Sequence, residues 1–289
     1  ISMTWRWSLR RRKNVCRFKS GIIFKTRCVV APEENDSHSD LLHELNIEDT
    51  YTNASRVFVR AELVPANNEW WTDPDGWEFV VDQDVTPDWY DTDPGKYEEE
   101  FRQAVKAWWG EHVLVDKKID ELSSGYYRLK RCEVKKLLND VKVYLDNSTV
   151  VKMWDNSTVR KMCGSSTVRE MCGSSTVREM CGSSTVREMW DNSTVRKMWG
   201  SSTVGEMRDS STVGEMWGSS TVGEMWGSST VREMWDNSTV GEMWGSSTVG
   251  KMRDSSTARD FKNYPNVKIH IPKGGKFELV EHEEEKPCD

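Results

Sequence analysis

Long apolar runs are missing from this sequence of 289 residues. No stretch approaches the ~18 consecutive apolar residues of a membrane-spanning helix. The basic N-terminal segment has apolar runs of only three or four residues, interrupted by Lys25 and Arg27. Such runs are too short for the apolar region of a signal peptide. We therefore expect neither a membrane span nor a secretory leader.

The sequence also lacks disulfide and metal-ligand patterns. Its seven cysteines form no C-x-x-C pair, and Cys163, Cys172 and Cys181 occupy a slot that Trp fills elsewhere. The five histidines have no ligand or triad partner at a telling spacing. Phosphate-loop and nucleophile motifs are absent. We predict no catalytic, cofactor-binding or metal-binding residue and no enzyme, and the cysteine pattern favours the reducing cytoplasm.

Charge is distributed unevenly along the chain. Residues 1–31 hold nine Lys/Arg and no acid, whereas residues 32–131 hold 24 Asp/Glu against ten Lys/Arg, a net of −14. The basic segment fits an organelle transit peptide, a nucleic-acid-binding arm, or an unstructured extension or unusual translation start. We predict a flexible leader over residues 1–31. It is the only segment for which nucleic-acid binding is expected.

A nine-residue unit recurs twelve times from Met153 to Asp260. With Met as position one, it reads M-[W/C/R]-[D/G]-[N/S]-S-T-V-[R/G]-[E/K], and degenerate copies place Tyr144 and Phe261 in the Met position. Nine residues make about 2.5 turns of α-helix, so helical copies would face opposite sides. Ser-Thr-Val favours a strand, and Gly, Asn and Asp favour turns. Each unit predicts a strand at S-T-V, a bend at positions eight and nine, an extended M-W and a corner.

Variation among the copies indicates which positions face the core. Position seven is Val in eleven copies and Ala258 in the twelfth, position one is always Met, and position two accepts Trp, Cys and Arg. We predict that Val and Met lie inside with Ser of position five beside Val. Thr of position six then points outward by strand alternation. Trp of position two lies on the rim.

The repeat predicts a mainly β protein, built as a parallel β-solenoid. Two units per coil give about 18 residues and a two-sided solenoid, whereas three units give about 27 residues and a triangular section. We favour two units per coil, which stacks Val159 over Val177 and Val195 and places Val168 on the opposite wall. An open coil exposes a strand edge, so both ends need caps.

A small acidic α+β capping domain is predicted over residues 32–131. Strands are expected at Arg56–Leu63 and at Trp77–Val81. A helix is expected from Asp93, because Pro94 suits its first turn. One face of that helix is formed by Phe101, Val105 and Trp108.

The solenoid itself is predicted over residues 132–265. Residues 266–280 are expected to form a C-terminal β cap, a hairpin around Gly274 and Gly275. The acidic residues 281–289 are expected to be a disordered tail.

The units W-G-S-S-T-V-G-E-M and R-D-S-S-T-V-G-E-M follow the segment SSGYYRLKRCEVKKLLNDVKVYLDNSTV. In this arrangement, residues 56–262 resemble nonapeptide arrays of uncharacterised gut-bacterial and phage proteins. The resemblance implies a β-solenoid and no activity. The basic leader departs from the family pattern.

We expect a non-enzymatic repeat scaffold, spacer or protein-interaction protein. The alternative is binding of a polysaccharide or other extended surface through a Trp ladder; a Thr ladder that includes Thr158, Thr167 and Thr176 makes ice binding a weaker alternative. Calcium binding is rejected, because the unit lacks G-G-x-G-x-D. The carboxylates from Asp88 to Asp93 suit a solvated acidic loop. The Trp ladder consists of Trp154, Trp190, Trp199, Trp217, Trp226, Trp235 and Trp244.

Overall fold

A computed structural model describes residues 19–32, 36–261, 268–269 and 276–280. The chain divides into two compact units, residues 1–111 and residues 112–289. The predicted tail at 281–289 and residues 1–18 of the predicted leader lie outside the described residues.

The N-terminal unit contains a four-stranded antiparallel sheet in the order β2-β1-β3-β4. Single turns of 3-10 helix lie at Ala66–Asn68 and at Pro74–Gly76. The strands and helices are β1 (Lys19–Phe24), β2 (Arg27–Val30), α1 (His38–Glu44), α2 (Tyr51–Ala54), β3 (Val59–Val64), β4 (Glu78–Val81), α3 (Asp88–Asp91) and α4 (Pro94–His112).

The prediction of a flexible leader is wrong for residues 19–31, because they form a hairpin in this sheet. Strand β1 pairs with both β2 and β3. Ile23 packs with Phe101 on one side of the sheet, and Ile22 packs with Phe58 on the other. The Gly-Ile-Ile-Phe run is therefore buried by partners more than thirty residues away in sequence, which a local charge pattern does not reveal.

The helix predicted from Asp93 is confirmed. Helix α4 begins at Pro94, and the Asp93 carboxylate accepts a hydrogen bond from the Lys96 amide at 3.1 Å, which caps its first turn. The predicted strands at Arg56–Leu63 and Trp77–Val81 correspond to β3 and β4. The buried face of α4 comprises Tyr97, Phe101, Val105 and Trp108.

The C-terminal unit is a parallel β-solenoid. Within the described residues, its odd-numbered strands form one ten-stranded sheet (the odd sheet) and its even-numbered strands form another (the even sheet). The strands are β5 (Val113–Val115), β6 (Lys118–Leu122), β7 (Tyr126–Lys130), β8 (Glu133–Leu137), β9 (Lys142–Asp146), β10 (Thr149–Met153), β11 (Thr158–Cys163), β12 (Thr167–Met171), β13 (Thr176–Met180), β14 (Thr185–Met189), β15 (Thr194–Met198), β16 (Thr203–Met207), β17 (Thr212–Met216), β18 (Thr221–Met225), β19 (Thr230–Met234), β20 (Thr239–Met243), β21 (Thr248–Met252), β22 (Thr257–Phe261), β23 (Lys268–Ile269) and β24 (Lys276–Val280).

The register confirms two repeat units per coil. Val159 pairs with Val177 and Val177 pairs with Val195 in the odd sheet, while Val168 pairs with Val186 in the even sheet. Each unit contributes one strand from Thr to Met rather than two short pieces. The pairing skips position eight, so the strand departs from regular alternation there, where the bend was predicted. This departure lets Val and Met, three residues apart, both face inward.

The solenoid begins earlier than predicted, at Val113 rather than residue 132. Its first coils are shorter than a pair of repeat units. In the even sheet, Lys118 pairs with Glu133, and Glu133 pairs with Thr149, so these coils are three and two residues shorter. These coils lack the repeated Met-Trp-Asp-Asn-Ser pattern, so no periodicity in the sequence identifies them.

Two details of the flanking copies also differ from the prediction. Leu145, not Tyr144, takes the Met position, because Leu145 pairs with Met162 and is buried. The predicted hairpin around Gly274 is wrong: β23 pairs with β21 in the odd sheet and β24 pairs with β22 in the even sheet, both in parallel. The chain therefore continues to coil where alternation and a Gly-Gly pair suggested a hairpin.

Candidate functional site

Every repeat position forms two columns along the solenoid, one on each sheet, because successive units alternate between the sheets. The inner columns contain Val, Met and the position-five Ser, all fully buried from Ser157 to Met252. This confirms the predicted core. The outer columns are Thr at position six and the residues at positions eight and nine, and position two lies along the two edges. These outer columns are the surface on which a function can be built.

The corners explain why position three is always Asp or Gly. Its backbone is left-handed, with φ from 54° to 72° from Asp155 to Asp254, a conformation that Gly adopts freely and Asp tolerates. The Asp191 carboxylate accepts a hydrogen bond from the Gly173 amide of the preceding coil at 2.9 Å. Asp236 does the same for the Gly218 amide at 2.9 Å. These carboxylates join coils through their turns.

The seven predicted Trp residues form two columns on opposite edges rather than one ladder. Five of the rings stack with nearly parallel planes: Trp199, Trp217 and Trp235 on one edge, and Trp226 and Trp244 on the other. Trp217 and Trp235 are 4.7 Å apart between ring centroids, and Trp226 and Trp244 are 5.0 Å apart. One edge contains Trp154, Trp190, Trp226 and Trp244, and the other contains Trp199, Trp217 and Trp235.

This stacking limits what the Trp columns can bind. A sugar ring stacks on an open aromatic face, but these faces are turned toward each other. The Arg208 guanidinium covers the Trp190 ring at 4.6 Å. The Trp226 indole N–H donates to the Glu224 carboxylate at 3.0 Å. Within the stacks the rings therefore present mainly their edges, whereas Trp154, Trp199 and Trp226 are exposed. A Trp binding strip stays a prediction.

The single Thr ladder predicted from Thr158, Thr167 and Thr176 is wrong. Thr158 pairs with Thr176 in the odd sheet, whereas Thr167 pairs with Thr185 in the even sheet. Each sheet thus carries one Thr column next to a charged column. Ice-binding surfaces usually carry paired Thr columns on one face.

Cations are concentrated on the odd sheet, at strands β11, β13 and β15. The five cations of these strands, listed below, and the strands themselves are named the basic patch. The same strands contain one acid, Glu179 on β13. Arg178 and Arg196 are exposed, and Lys197 forms an ion pair with Glu215 of the next coil at 3.6 Å. The basic patch comprises Arg160, Lys161, Arg178, Arg196 and Lys197.

Acids are concentrated on the even sheet, at strands β16, β18 and β20. Position nine is Glu206, Glu224 and Glu242 in these strands, and position eight is Gly in all three. Glu206 pairs with Arg208 at 2.6 Å. Within the described residues, Glu224 and Glu242 form no ion pair. We name these strands the acidic patch.

The acidic loop at Asp88 has local structural roles. Asp91 ends helix α3, and its carboxylate accepts a hydrogen bond from the Thr86 hydroxyl at 2.6 Å. Asp93 caps α4 as described. The residues predicted as a solvated loop thus form a single helical turn, α3, with Tyr90 buried, directly before α4.

A cluster that the sequence did not indicate lies on the N-terminal sheet. Ligand atoms of His38, Glu62 and Asp82 all lie within 4.8 Å of one another, so these residues are able to hold a metal ion. His38 is buried, and its Nε2 lies 3.1 Å from the Ala61 carbonyl oxygen. Since a carbonyl only accepts, we assign the proton to Nε2, which leaves Nδ1 facing Asp82 at 3.3 Å. Burial lowers the pKa of His38 despite the Ala61 hydrogen bond and the Asp82 charge. The three residues come from separate elements, so no spacing in the sequence joins them.

Comparisons with protein-family models, curated proteins and solved structures found no match to this chain. In the described part of the chain, no helix combines the length and apolar character needed to cross a membrane.

Proposed function

We propose that this protein is a non-enzymatic repeat scaffold: a stiff spacer whose two flat faces bind other proteins. The observation that carries this proposal is the unbroken register of two repeat units per coil. Strand pairs continue from β10 to β22 in the even sheet and from β11 to β21 in the odd sheet. Each coil is hydrogen-bonded to both neighbours, so bending requires many bonds to break together.

The outer columns also support a scaffold. They repeat Thr, Arg or Gly, and Glu or Lys with little variation. A catalytic centre needs different groups that converge on one point, whereas equivalent rungs provide a long surface of uniform chemistry. The number of rungs sets the length of that surface without changing its character.

Distance measurements between spin labels test the stiff-spacer proposal. Labels at Thr149→Cys and Thr257→Cys lie in one even-sheet column, in a chain whose native cysteines are replaced by alanine. Six steps separate them, which predicts about 29 Å at a rise of ~4.8 Å per step. Deletion of residues 203–220 removes one coil and should shorten the distance by about 4.8 Å, with a narrow distribution.

A nine-residue deletion of residues 203–211 is the matched control. It removes half a coil, so the second label should move to the opposite sheet rather than along the same column. Broad distributions in the parent, or a distance that ignores the loss of a coil, would refute a stiff spacer.

Polysaccharide binding through the Trp columns receives less support. Its main requirement is an open ring face, and the stacked rings cover one another. We propose it only as the alternative, with the Trp variant described in the Discussion as its test.

A further inference from the structure

We propose that the basic patch of one molecule docks on the acidic patch of a second copy of this chain. The proposal names a partner for the interaction scaffold and therefore rests on the proposed function. It concerns strands β11, β13 and β15 of one copy and strands β16, β18 and β20 of the other.

The first argument is complementary charge on opposite faces. Arg178 and Arg196 are exposed on the odd sheet. On the even sheet, Glu224 and Glu242 form no ion pair within the described residues. The later odd strands neutralise themselves instead, since Lys251 pairs with Glu233 at 3.0 Å. Within the regular repeats, the excess of each sign is thus greatest on one part of one face, which favours an oriented contact.

The second argument is shape. Position eight carries arginine in the three strands of the basic patch and glycine in the three strands of the acidic patch. Arg178 and Arg196 are exposed beside their Thr column, whereas Arg160 is half-buried. Gly205, Gly223 and Gly241 carry no side chain between the Thr and Glu columns. Arg178 and Arg196 laid along this glycine column would place each guanidinium beside a carboxylate.

The third argument is spacing. Successive residues in each column are two repeat units apart and occupy neighbouring parallel strands. Both columns therefore rise by the same ~4.8 Å per rung, so Arg178 and Arg196 meet Glu224 and Glu242 without a change of register.

The geometry also determines the kind of assembly. The two patches differ and lie on opposite faces of one molecule, so the contact is heterologous and does not close on itself. Three strands of five residues cover only about 14 by 17 Å, well below the ~800 Å² per partner of a stable interface. We therefore expect weak, reversible and open-ended association that depends on salt.

Sedimentation velocity of the full chain tests the proposal. At 50 mM NaCl the mean mass should rise with protein concentration, and at 500 mM NaCl the chain should be monomeric. The variant Arg178→Glu/Arg196→Glu should lose association, and so should Glu224→Arg/Glu242→Arg. An equimolar mixture of the two variants should associate again, because one has two acidic faces and the other has two basic faces.

Arg169→Glu/Arg187→Glu is the matched control. It makes the same charge change at the same repeat position, but on the even sheet outside both patches, and it should still associate. If a charge-reversed chain fails to fold by circular dichroism, the neutral variants Arg178→Gln/Arg196→Gln and Glu224→Gln/Glu242→Gln replace it. Each should weaken association at least tenfold.

Several results would overturn the proposal. One is a parent chain that stays monomeric at 50 mM NaCl, and another is association that survives in both patch variants. If only a chain truncated after residue 280 associates, the acidic tail is the occupant of the basic patch. If the monomeric parent binds a fluorescent single-stranded DNA 20-mer through Arg178 and Arg196, the occupant is a polyanion. In each case the label distances still report on the spacer separately, so failure of docking and failure of the scaffold are distinguishable.

Discussion

Replacing Val204 by Asp tests the inside–outside assignment of the repeat most directly. Val204 is fully buried and pairs with Val186 below and Val222 above in the even sheet. The substitution removes about 1.5–3 kcal/mol of apolar burial. It also places a carboxylate in the dry core at an effective cost of several kcal/mol. The total of about 5 kcal/mol or more is comparable to the whole stability of many domains.

The neighbouring change Thr203→Asp is the matched control. Thr203 is half-buried on the outer face and pairs with Thr185 and Thr221. There a carboxylate stays hydrated, so the expected loss is about 1 kcal/mol or less, mainly from lower strand propensity. Val204→Thr keeps the shape of valine and should fall between the two.

Guanidinium chloride unfolding followed by tryptophan fluorescence measures all three variants. We expect Val204→Asp to unfold locally at low denaturant, because a coil depends on its nearest neighbours. Thr203→Asp should unfold at a guanidinium chloride concentration close to that of the parent. Equal destabilisation of these two variants would show that the assigned core is not the core.

Three further predictions follow from the edges and from the buried histidine. Alanine at four stacked tryptophans should lower the melting temperature; three of the rings are half-buried and Trp226 is exposed, so each should cost less than the ~3–5 kcal/mol of a fully buried ring, before coupling between neighbours; a variant that melts like the parent but no longer retains a polysaccharide would instead support the binder. These four are Trp217, Trp226, Trp235 and Trp244. The Cys163 and Cys181 sulfurs are 2.9 Å apart, so diamide should join them, and peptide mapping should find Cys172 on the other edge as a free thiol. Burial and the Cys181 thiol raise the pKa of Cys163 to about 12. Because the thiolate is the reactive form, the disulfide should form faster at pH 9 than at pH 7. A Cys163–Cys172 disulfide would contradict two repeat units per coil. Burial lowers the pKa of His38 below its ordinary value of 6.5, so on acidification from pH 6.5 down to that lowered pKa the unfolded chain binds a proton that the folded chain does not. Urea unfolding should therefore show the parent losing stability relative to His38→Gln as the pH falls through this window, and a difference that does not change with pH would contradict burial of the neutral ring.

The solenoid could be predicted from the sequence because the copies of the repeat can be compared with one another. Twelve units share one backbone environment, so Val and Met, which hardly vary, had to face inward, while the variable position two had to lie at the rim. The helix from Asp93 could be predicted as well, because its capping residue and the spacing of its apolar residues are local signals. The Cys132 region and residues 113–131 gave no such signal, since their shorter coils differ in length and do not repeat.

The sequence by itself thus determined the fold class and the core residues of the repeat, which follow from periodicity and local preference, and it favoured a coil of two units over one of three. Only the tertiary structure decided that residues 19–31 pair within the N-terminal sheet and that His38 meets Asp82, because those partners are distant in sequence. It also decided how charge is arranged. Along the chain the repeats are nearly neutral, with 14 acids and 12 bases. Closure at two units per coil sends alternate units to opposite faces and thereby separates the arginines of β11, β13 and β15 from the glutamates of β16, β18 and β20.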